Sequence, residues 1–150
     1  MKGVPVLLAC LFLVATAGCD LQFGNDVELS GAAFDAKTLA EVSGRSGLHF
    51  PAGTEGLEYY YEGTGIDPAL GAKIRIPDAG VEIFLKNDIF VKGDKRKAYI
   101  EIGKAKPWWK PSGLKDREDY QIDLPKGEFL EVIHGREGTD FVIYLSWMTT

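Results

Sequence analysis

Apolar and polar residues alternate with a period of two along much of this chain, and such alternation predicts strands. Leu57, Tyr59 and Tyr61 alternate with Glu58, Tyr60 and Glu62. Leu70, Ala72, Ile74 and Ile76 alternate with Gly71, Lys73 and Arg75 and stop at Pro77. The Gly-Thr-Gly-Ile-Asp-Pro loop at 63–68 joins the two, so they read as a hairpin with a long connection. Leu48 to Phe50 reads as extended up to Pro51. Lys97 to Ile102 alternates again, with Ala98, Ile100 and Ile102 on one side. Tyr120 to Leu124 reads as a short strand ahead of Pro125. Glu128–His134 and Thr139–Trp147 flank Gly135-Arg136-Glu137-Gly138, the clearest hairpin signal in the chain. Both faces of Phe141–Leu145 are apolar or aromatic, which places this last strand centrally in its sheet.

Two segments follow a helical period. Phe34, Thr38, Leu39 and Val42 share one face of a helix over 33–42, which Gly44 and Gly47 stop. Residues 78–87 fit a helix behind an Asp78 cap and also fit a strand through Val81, Ile83 and Leu85. The Pro77-Asp78 start decides for helix. Residues 106–113 hold two prolines and two tryptophans and read as irregular. The expected fold class is α+β: a mostly antiparallel sheet of about six strands with two short helices on one face.

The N-terminus has a different pattern. Met1-Lys2 is a short positive start, Val4 to Ala17 carries no charge, and Ala15-Thr16-Ala17-Gly18-Cys19 closes the run with small residues. That order is an export signal, and the cysteine after the small residues resembles the lipobox of bacterial lipoproteins. The stretch from Gly3 to Gly18 is shorter than the roughly 20 residues a membrane-spanning helix needs. The resemblance covers residues 1–19 and implies cleavage before Cys19, with acyl chains, palmitate among them, on that cysteine. The expected organisation is a signal peptide at 1–18, a lipidated N-terminus and tether at 19–30, and one globular domain at 31–150. The expected location is the bacterial cell membrane, with the domain facing the periplasm or the exterior. The only cysteines are Cys10 and Cys19, so cleavage and lipidation leave no thiol for a disulfide.

The net charge is −5. An acidic chain argues against nucleic acid as a partner, because phosphate binding needs clustered Lys and Arg. The one basic run, Lys92-Gly93-Asp94-Lys95-Arg96-Lys97, reads as a solvated hairpin turn.

Candidate chemistry is sparse. His49 and His134 are the only histidines, far apart, and His134 reads as a surface residue beside a turn; no metal or other cofactor is expected. There is no Gly-x-Ser-x-Gly elbow. Glu58 with Glu62, and Asp116 with Glu118 and Asp119 in one loop, read as solvated carboxylates. The aromatics stand out: Tyr59-Tyr60-Tyr61 puts tyrosine on both sheet faces, and Trp108-Trp109 sits on a loop between Pro107 and Pro111. Trp and Tyr dominate binding hot spots, so Trp108, Trp109, Tyr59, Tyr61 and Asp67 are the candidate contact residues. The leading expectation is a non-enzymatic binding or assembly module with an envelope protein as partner. The alternatives are an inhibitor or immunity lipoprotein facing a toxin or hydrolase, and a carbohydrate- or peptidoglycan-active enzyme.

Overall fold

A computed structural model describes residues 24–64 and 66–149; the lipobox-like segment expected at 1–19 lies outside the described residues. The strands are β1 (Val27–Ser30), β2 (Glu55–Glu62), β3 (Ala69–Ile76), β4 (Asp94–Lys95), β5 (Lys115–Leu124), β6 (Glu128–Glu137) and β7 (Asp140–Thr149). They form one antiparallel seven-stranded sheet in the order β1-β2-β3-β7-β6-β5-β4. The helices are α1 (Ala36–Ser46), α2 (Val81–Phe84) and α3 (Asp88–Lys92). This is the expected α+β class, with one strand more than anticipated.

The extra strand corrects the tether boundary. Residues 27–30 pair with β2, Val27 opposite Tyr61 and Ser30 opposite Glu58, so the fold starts inside the expected tether. Leu29 packs against the core while Glu28 and Ser30 face the other way. Four residues of alternation are too few to separate a strand from a linker by pattern alone.

β7 lies at the centre, as its two apolar faces require. On one face Ile74, Ile143, Leu145, Val132 and Leu130 are fully buried under Val42 of α1, Phe84 of α2 and Ile89 of α3. Each such side chain contributes about 1.5–3 kcal/mol relative to exposure. Asp35 starts α1 by accepting the Thr38 N–H at 2.9 Å, and Gly47, at φ 70°, ends it. Gly44, expected to stop the helix, lies inside it. Asp78 caps nothing; it opens a 3-10 turn and pairs with Arg136 at 2.5 Å. The β6–β7 turn is tighter than expected, since Glu137 pairs directly with Asp140 across Gly138-Thr139.

The second face is covered by a strap, residues 96–114, that crosses the sheet and returns. This corrects the strand expected at 97–102, because after Arg96, whose N–H still bonds the Asp119 carbonyl, the N–H groups of Ala98, Tyr99, Ile100 and Ile102 go to side chains rather than to a neighbouring strand's backbone. Ala98 N–H donates to Asp119 on β5 at 2.9 Å. Tyr99 and Ile100 donate to Glu131 on β6 at 2.9 and 3.3 Å. Ile102 donates to the Ser146 hydroxyl on β7 at 3.1 Å. Gly103 then passes over Gly71 of β3, where a Cβ on Gly71 would come within 3.0 Å of the Gly103 nitrogen. Lys106 ends the crossing above Tyr60 of β2. On the return Trp109 packs edge-on against Tyr144, 5.3 Å between centroids, and Leu114 closes the same cluster with Ile133 and Val142.

Candidate functional site

The tip of the strap meets the open edge of the sheet. Lys106 Nζ lies 3.9 Å from the centroid of the Tyr60 ring and pairs with Glu28 of β1. The Glu28 hydrogen bond raises the Lys106 pKa, and burial of the ammonium opposes it. Burial pushes the Tyr60 hydroxyl up as well. Next to this pair, Trp108 borders a hollow of about 120 Å³ with Glu28, Ser30, Glu58 and Tyr59. The Glu58 carboxylate makes no hydrogen bond or ion pair with any described residue. It is half-buried and faces the strap side, opposite Ser30.

The sequence candidates separate by burial. Trp109 is 7% exposed and Tyr59 is 3% exposed, so both are core residues rather than contacts. Burial pushes the Tyr59 hydroxyl up to about 12. Tyr61 is half-buried on the helix side, with the Arg45 guanidinium 4.8 Å from its ring centroid. Tyr60 takes the opposite face, so the tyrosine triplet does divide between the two. Asp67 is exposed in the β2–β3 connection. Asp26 holds the start of that connection by accepting from the Gly63 and Thr64 N–H groups at 3.0 and 3.2 Å. Trp108 is half-buried and is the candidate that reaches the edge. Lys106, Glu28 and Ser30 escaped the sequence reading. Their meeting depends on the strap crossing the sheet from β5 to β2, which leaves no local signal.

The other sequence candidates have structural partners. Glu118 and Asp119 lie on β5 rather than in a loop, and they point to opposite faces. Burial raises the Asp119 pKa, but hydrogen bonds from Arg117 and Ala98 N–H outweigh it and leave the carboxyl below its ordinary value. Glu131 is 1% exposed, and burial holds its pKa above the ordinary value although three N–H groups reach Oε2. The basic run 92–97 is not a hairpin turn: Lys92 ends α3 and pairs with Asp88, while Lys95 lies in β4 and pairs with Glu118.

His134 overturns the surface expectation. It is 6% exposed, on the core face, stacked on Tyr120 at 5.7 Å with Phe90 and Phe141 at 5.5 and 5.2 Å. Neither ring nitrogen has a hydrogen-bond partner among the described residues. Glu118 Oε2 stands 3.7 Å from Nε2. Burial lowers the His134 pKa, and the nearby Glu118 only partly offsets it.

Among the described residues no group of three or more His, Cys, Asp or Glu is arranged to hold a metal ion. No described helix is long and apolar enough to cross a membrane. Comparison of the chain with family models, with curated proteins and with solved structures finds no match.

Proposed function

We propose that this chain is a lipid-anchored, non-enzymatic binding module of the bacterial cell envelope. In this reading it is held through Cys19, and its working surface is the β1–β2 edge. The observation that carries the reading is that edge. β1 ends the sheet, and the strap tip brings Trp108 beside the unpartnered Glu58 carboxylate. The lipobox-like pattern at 1–19 supports the anchor. β1 begins eight residues after Cys19, so an extended tether reaches at most about 27 Å and keeps this edge close to the membrane. The two buried carboxylates that could suggest acid–base chemistry, Asp119 and Glu131, are taken up by backbone N–H groups of the strap, which supports a non-enzymatic role.

Photo-crosslinking in intact cells tests the reading. A crosslinkable residue at Glu28 should give a discrete adduct, and the same residue at Asp94 on the far edge should not. The adduct should fade when Trp108 is changed to Ala. Equal labelling from both edges, or none from position 28, would contradict it.

A further inference from the structure

Two hollows flank the open edge, one on each face of the sheet. The strap-side hollow is bounded by Glu28, Ser30, Glu58 and Trp108. The helix-side hollow, about 440 Å³, lies where β1 ends and is bounded by Phe34, Leu39, Gly56 and Leu57. Among the described residues no strand lies beside the outer N–H and C=O groups of β1. An extended chain laid along such an edge completes these hydrogen bonds, and its side chains alternate between the two faces.

We propose that the β1 edge binds an extended segment of a partner protein by strand addition, with basic side chains alternating with apolar ones. This rests on the binding-module reading and names its partner chemistry. The strap face of β1 and β2 carries Glu28, Glu58 and Glu62; of the described cations beside them, Lys106 of the strap already pairs with Glu28, and Lys73 of β3, opposite Glu58, already pairs with Glu137. A lysine or arginine from the added strand meets Glu58 and the face of the Trp108 indole, the surroundings a cation favours. The next side chain points the other way, toward Leu29, Phe34 and Leu39, which are apolar. Charge disfavours a second copy of β1 as occupant, because antiparallel self-pairing brings acidic strap-side edges together. The far edge, β4, offers only Asp94 and Lys95, both exposed and charged.

The test uses full-length, membrane-extracted protein and a synthetic peptide of about eight alternating Lys and Val residues. Two controls accompany it: the same peptide N-methylated at alternate backbone nitrogens, and a peptide of alternating Glu and Val. The expected result is slowed amide exchange across Val27–Ser30 with the Lys–Val peptide alone. The Glu58→Lys variant should weaken that binding about tenfold while exchange in β6 and β7 stays unchanged. Equal binding of the N-methylated peptide means charge adhesion without strand addition and overturns the proposal. So does equal binding of the Glu–Val peptide, or unchanged exchange at β1. If the peptide fails while the Glu28 crosslink persists, the partner chemistry falls and the binding-module reading stands. Absence of both removes both.

Discussion

The carboxylate of Glu131, in the middle of the sheet, accepts the backbone N–H of Tyr99 at 2.9 Å from the strap that runs above it. The same oxygen also takes Ile100 N–H and the Gln121 side-chain amide. Replacing Glu131 by Ala leaves two strap N–H groups and one N–H of the Gln121 amide, which still donates to the Lys97 carbonyl, without that acceptor. At about 1–3 kcal/mol for an unsatisfied buried donor, partly relieved by movement of the strap, the expected loss is about 2–4 kcal/mol. Glu131→Gln keeps an acceptor oxygen and removes a desolvated charge, so it should stay within about 1 kcal/mol of the parent. Urea unfolding of the two variants checks this; equal losses would show that the carboxylate does not hold the strap.

His134 should make stability fall on mild acidification. Burial lowers its pKa in the fold, while the unfolded chain has an ordinary value near 6.5. The unfolded state therefore takes up the proton first, and stability present above about pH 6.5 is lost as pH falls below it, by at most about 1.4 kcal/mol per pH unit. Glu131, whose pKa is raised by burial, acts with the opposite sign, its contribution declining as pH rises through the carboxylate range and above. His134→Phe keeps the aromatic stack and should flatten the slope between pH 6.5 and 5. An unchanged slope in that variant would refute the assignment.

Gly103 crosses Gly71 beneath the tryptophan pair, and a Cβ on Gly103 would run into the ring of Trp109. Gly103→Ala must displace the indole or lift the strap, at a cost of about 1–3 kcal/mol. A tryptophan emission shift together with a lower urea midpoint is expected. Parent-like values for both would mean that the approach is looser than described.

The two tryptophans should respond differently to truncation. Trp109, packed on Tyr144, should lose about 3–5 kcal/mol on replacement by Ala. Replacing Trp108, half-buried at the edge, should cost roughly 1–2 kcal/mol but should weaken the crosslink from position 28. The reverse order of stabilities would exchange their roles.

Much of the sheet was legible because period two is a local signal. The β2–β3 and β6–β7 hairpins and the central place of β7 follow directly from it. His134 was legible too: it shares parity with Leu130 and Val132, so the pattern that puts them in the core puts it there as well. Its neighbouring turn obscured that. The strap was not legible. Ala98, Ile100 and Ile102 alternate like a strand, but their N–H groups end on Asp119, Glu131 and Ser146, residues 21 to 44 positions away. The edge site was half legible. Trp108 stood out as an aromatic on a loop, but nothing local brings it to Glu58.

The anchor is the claim on which the compartment, the orientation of the edge and the class of partner all depend. Intact mass of the membrane-extracted protein, measured beside a Cys19→Ala variant, tests it most directly. A lipid-anchored protein should start at Cys19 and carry acyl mass, and the variant should carry none. A chain that still starts at Met1, or one without acyl mass, would contradict it.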